Sequence, residues 1–216
     1  MTITPSTLKA GLVLLDPLTS NIARVIVMQY TPDSLARTLA VQATGGESGD
    51  RSEVLRLKGP AVETLKIDAE IDATDQLEVA KPGATVLQSG IFPELSALEM
   101  ILYPTTTQLL SNHALAASGV LEILPMEQPL VLFVWSASRI VPVRITDFSI
   151  TEEAFDTKLN PIRAKVSLGM RVLSVTDLGF DHRGSSIYLA YQRVKETFAK
   201  IPPSGALKDI GVGAIP

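Results

Sequence analysis

A chain of 216 residues, 46% hydrophobic and 19% charged, has the composition of a folded protein with a sizeable core, and its length suits either one large β domain or one domain with an appendage. Nineteen Lys and Arg against 23 Asp and Glu leave a formal net charge of −4. The basic residues are scattered, not aligned in a stripe that would neutralise successive phosphates, so nucleic acid is not an expected partner, and the absence of cysteine excludes disulfides, thiolate metal sites and cysteine nucleophiles.

The opening stretch MTITPSTLKAGLVLLDPLTS lacks the basic n-region, long apolar stretch and small-residue cleavage site of a secretory signal, which predicts a cytoplasmic protein at synthesis. The longest apolar runs, GLVLL, ARVIVM and PLVLFVW, fall far short of the roughly 20 residues of a membrane helix. LVLLD (12–16) and ARVIVMQY (23–30) flank the turn composition PLTSN and read as a first hairpin. ATGGESGDRS (43–52) reads as a loop. ETLKIDAEIDATD (63–75) alternates, with Leu65, Ile67, Ala69 and Ile71 on one face and Lys66, Asp68, Glu70 and Asp72 on a wet, acidic one.

Residues 76–92, with Pro82, Gly83 and Gly90, carry no periodicity and read as a loop. FPELSALEMILYP (92–104) is the clearest helix, about 15 Å long, with Pro93 in its first turn, an apolar stripe of Leu95, Leu98, Ile101 and Leu102, and Pro104 closing it. Residues 105–120 are ambiguous, although LLSNHALAAS suits a helical turn. PLVLFVW (129–135) has the continuous apolar character of a buried strand, SASR makes a turn, and IVPVRITDFSI (140–150) alternates with Val141, Val143 and Ile145 on one face.

Ile162, Ala164, Val166, Leu168, Met170 and Val172 then share one face of a second long strand. The two strands, joined by a loop ending in Asn160-Pro161, predict a hairpin that reaches roughly 30 Å and protrudes. IYLAYQRVKETFAK (187–200) places Ile187, Tyr191, Val194 and Phe198 on one helical face, and the tail from Ile201 reads as an extended arm. The expected organisation is a mainly β, α+β domain over 1–180 and a C-terminal helix with its arm over 181–216.

Carboxylates are the candidate chemistry. Glu152, Glu153 and Asp156 crown the hairpin beside Lys158 and Asn160, but adjacent strand residues point to opposite faces, so Glu152 and Glu153 converge only through a bulge. Nothing beside them would tune a pKa for acid/base work. Asp68, Glu70 and Asp72 share a face at about 6.6 Å spacing, which suits a hard cation such as calcium only if the side chains bend inward. The simpler reading is a solvated or subunit-facing ladder, and the alternative is a carbohydrate- or calcium-binding module.

His113 reads as a loop or cap residue and His182 as a turn residue, neither in metal-ligand spacing. GxSxG, Walker-type and GxGxxG patterns are absent. No cofactor, metal or enzymatic activity is expected.

Three segments together, VMQYTPDSLARTL (27–39), RLKGPAVETLKIDAEIDATDQLE (56–78) and LFVWSASRIVPVRITDFSITEEAFDTKLNPIRAKVSLGMRVL (132–173), resemble the tube-type proteins of phage-tail-like contractile injection systems, which sit where inner tube meets baseplate hub. The resemblance covers roughly residues 5–175. It implies a tail-tube-like β-barrel or sandwich, a six-membered homo-oligomeric ring, and tube, baseplate and spike-hub proteins as partners. Relatives often carry a C-terminal LysM module that binds peptidoglycan, and no such module is evident here. On this reading the hairpin carboxylates keep the rim soluble and set charge complementarity with the next ring.

Overall fold

The structure, a computed structural model, describes residues 9–16, 19–28, 32–43, 56–74, 84–119, 128–201 and 207–210. Seven strands form one antiparallel sheet: β1 (Gly11–Leu15), β2 (Ile22–Val27), β3 (Ala36–Ala40), β4 (Val62–Asp72), β5 (Leu130–Ser136), β6 (Arg139–Phe155) and β7 (Pro161–Val172), in the order β2-β1-β5-β6-β7-β4-β3. Among the described residues four helices accompany it: α1 (Ala84–Ser89), α2 (Phe92–Glu99), α3 (Thr106–Ala117) and α4 (Arg183–Ala199), with a 3-10 turn at Leu207–Ile210. The mainly β expectation holds.

Alternation builds the core. Leu65 and Ile67 of β4 face inward with Val166, Leu168 and Met170 of β7, with Val141 and Val143 of β6 and with Phe133 of β5. Leu12 registers with Phe133, which registers with Val141, so one row of apolar side chains runs across the sheet. Leu95, Leu98 and Ile101 from α2 and its C-terminal turn, and Tyr188 and Tyr191 from α4, close over it.

The sheet is open. Among the described residues β2 and β3 each pair on one side only, and they do not pair with each other, so of the expected barrel or sandwich the closed barrel is not formed by these strands. Alternation reports which face is buried, not whether the two ends of a sheet meet.

Two helical readings are corrected and one open stretch is resolved. Part of the predicted loop at 76–92 is α1, and Gly90 breaks it from α2 with a φ of +56°. The ambiguous stretch after Pro104 holds α3, capped by Thr105 and Gln108 in a reciprocal box: the Gln108 amide donates to the Thr105 hydroxyl and the Thr105 amide to the Gln108 side chain. The buried residues of α4 are Gly184, Ser185, Tyr188 and Tyr191. Phe198, expected on the packed face, is 60% exposed, because only the first half of the helix lies on the core.

The 43–52 loop lies mostly outside the described residues, and of the predicted arm the structure describes Ile201 and the 3-10 turn. No helix of the described residues is long and apolar enough to cross a membrane.

Candidate functional site

The longest pair of strands outruns the sheet. β5 pairs with β6 only as far as Val143, and β3 pairs with β4 only between Val62 and Lys66. Beyond those points β6, β7 and β4 continue alone as a three-stranded tongue ending at the 156–160 turn. Residues 144–155 of β6 therefore have β7 on one side and, among the described residues, no strand on the other. Their core-side residues Ile145, Phe148 and Ile150 pack against the main cluster but stay partly exposed, whereas their partners Met170, Leu168 and Val166 on β7 are buried, so the apolar face is only half covered along its outer strand.

At the tip the carboxylates take three different roles. Asp156 is the hub of the turn: Oδ1 accepts from the Lys158 amide at 2.7 Å and the Asn160 amide at 2.8 Å, and Oδ2 accepts from Asn160 Nδ2 at 2.8 Å. Those bonds, the one from the Asn160 side chain foremost, hold its carboxyl below the ordinary aspartate value. Glu153 lies at a register shift between Glu152 and Ala154 and accepts from Lys165 Nζ at 2.6 Å; the irregularity does not bring it together with Glu152. Glu152 is exposed. The three do not converge on one point.

The acidic ladder of β4 meets the basic side chains of β7. Asp72 registers with Arg163 and Glu70 with Lys165. Arg163 Nε donates to Asp72 Oδ2 at 2.7 Å, and Glu70 stands 3.5 Å from the same guanidinium. Asp72 is buried, a correction to its expected place on a wet face. Burial pushes its carboxyl up, but hydrogen bonds from Thr74 and Arg163 outweigh that and leave it below the ordinary value. Arg163 thus occupies the position a cation would need between Glu70 and Asp72. Among the described residues no three acidic or histidine side chains lie close enough to hold a metal ion.

The alternation pattern also held a signal that the sequence reading passed over. Glu63 falls in phase with Leu65 and Ile67, and a glutamate in core phase implies a buried partner. Only 4% exposed, it accepts from Arg37 Nε at 2.9 Å, from the Tyr191 hydroxyl at 3.2 Å and from Lys195 Nζ at 3.5 Å. Lys195 also sits 4.2 Å above the Tyr191 ring. This cluster ties β3, β4 and α4 together, and burial beside Glu63 raises the Tyr191 phenol above its ordinary pKa. His182 caps α4 by accepting from the Gly184 amide at 3.0 Å, and His113 lies within α3.

The edge strands complete the surface. Ile22, Val25 and Val27 on β2 are each more than half exposed, as is Leu39 on β3. No protein-family model and no curated protein matches the chain. Among solved structures, a chain from the tail of an empty GTA particle, computed with helical refinement in C6 symmetry, is similar at 14% identity with a TM-score of 0.29, over 76% of this chain and 90% of that chain. A likeness at that score carries no argument about fold or role.

Proposed function

We propose that this protein is a structural, non-enzymatic ring subunit of a phage-tail-like contractile injection particle, acting where the inner tube joins the baseplate hub. The observation that carries the reading is the tongue: a strand edge over residues 144–155 that no strand among the described residues pairs on one side, with a half-covered apolar stripe of Ile145, Phe148 and Ile150 beneath it. A lone monomer gains nothing from such an edge, which is an aggregation hazard unless another chain completes it. The resemblance of residues 27–39, 56–78 and 132–173 to tube-type proteins supplies the kind of assembly. The expected arrangement is a hexameric homo-oligomer built in the cytoplasm, with tube, baseplate and spike-hub proteins as axial neighbours.

The test is gradient sedimentation of lysate from the native cells carrying a tagged copy, followed by electron microscopy of the fast fraction. The tag is expected on sheathed rods, at one end. A tag that remains at the 23.2 kDa position while such rods sediment without it would overturn the reading.

A further inference from the structure

The tip of the tongue is built as a rigid apolar knob. Leu159 adopts a φ of +65°, a left-handed conformation that a branched, non-glycine residue adopts only when its surroundings impose it. Asp156 imposes it through the bonds described above, and its carbonyl accepts from the Leu159 amide at 3.0 Å. Behind the knob, the Pro161 carbonyl accepts from the Ile91 amide at 2.9 Å, bracing the turn against the start of α2. The Leu159 residue so presented is 80% exposed, and Phe155, the last residue of β6 before the turn, is 48% exposed. Most of Leu159 and about half of Phe155 are left uncovered by the described residues.

The same chain carries a cleft of about 440 Å³ between β2, α2 and β4, floored by Ile26, Ile71, Ala97 and Leu98. Its walls carry both signs, Arg24 on β2 and Glu94 on α2. The tip carries both signs too, Glu152 and Lys158. Among the described residues none of these four takes part in a salt bridge.

We infer that the Leu159 and Phe155 knob of one copy docks in the β2–α2–β4 cleft of the next, with Lys158 against Glu94 and Glu152 against Arg24. The occupant is a second copy because both halves of a matching pair, apolar knob with apolar floor and opposite charges at the rim, lie on one chain. Two different patches on one chain make a heterologous contact, the kind that closes rings or extends filaments. The contact rests on the ring-subunit reading above and adds to it the residues that hold neighbouring copies together. A strained apolar residue held out on a braced turn is preorganised, so little ordering cost opposes docking.

Sedimentation velocity of the purified full chain over a concentration series tests this with four variants. Leu159→Gly removes the knob and relieves the left-handed strain, so its melting temperature should stay at or above wild type while association weakens by about thirtyfold or more. Lys158→Glu and Glu94→Lys should each weaken association by about fivefold, and the double reversal should restore it. Wild-type association that survives Leu159→Gly and Lys158→Glu unchanged overturns the docking contact and leaves the ring reading standing. Loss without restoration by the double reversal also counts against seating in this cleft. A wild-type chain that stays at 23.2 kDa throughout overturns the ring reading and this contact together.

Discussion

At the scale of single residues, two turn positions decide how the tongue is held. A Cβ placed on Gly90 would meet the Pro161 carbonyl oxygen at 2.0 Å, and the residue already sits at a φ of +56°. Both demands fall on one atom, so Gly90→Ala should cost about 2 kcal/mol or more, measured by urea unfolding. Asp156 supplies a pH dependence. Its folded pKa is depressed below 3.8, so the stability it contributes is complete above the unfolded value and is lost as pH falls through the lower, folded one. Asp156→Asn should therefore lower the melting temperature at pH 7, and the difference from wild type should shrink progressively as pH falls below 3.8; a difference that stays constant with falling pH would contradict the hub role. Reversing Glu152 tests the rim charge more cleanly than reversing Asp156, because Glu152 is exposed whereas Asp156 closes the turn.

At the scale of elements, α4 is fastened by its first half and by Glu63. Glu63→Ala removes the acceptor shared by Arg37, Tyr191 and Lys195 and should cost about 2 kcal/mol, with faster amide exchange through residues 183–199. Unchanged exchange there would mean that Tyr188 and Tyr191 alone hold the helix. Much of this layer was legible in the sequence. The alternation of β4, β6 and β7 predicted their inward rows, Pro93 and the Leu95, Leu98 and Ile101 stripe predicted α2, and the PLTSN turn predicted the β1–β2 hairpin. What was missed has local physical causes. Residues of α3 are not buried, so no apolar period marked the helix, although the Thr105 to Gln108 spacing was a readable cap. The packed face of α4 ends at Tyr191, so counting the apolar residues through to Phe198 overstated it. Pairing of Asp72 with Arg163 across 91 positions depends on strand register, which no local pattern reports.

For the whole molecule, the sheet is finished in the middle and unfinished at its margins. Phe133, with no exposed surface, anchors the finished part, and Phe133→Ala should cost about 3–5 kcal/mol through the cavity it leaves. Among the described residues the margins are β2, β3 and residues 144–155, where exposed or half-exposed apolar side chains lie beside a strand edge with no second strand on it. The alternation pattern showed that the tongue was long; it could not show that the pairing of β5 with β6 reaches only to Val143 and leaves residues 144–155 without a second strand among the described residues, because that depends on where the neighbouring strand begins. Amide exchange over residues 144–155, compared between the isolated chain and the fast-sedimenting particle fraction, tests the central claim most directly. The account predicts rapid exchange in the isolated chain at the amides pointing away from β7, and strong protection of the same amides in the particle. Equal exchange in both states would contradict it, because an edge that stays bare in the assembly is not the surface that builds it.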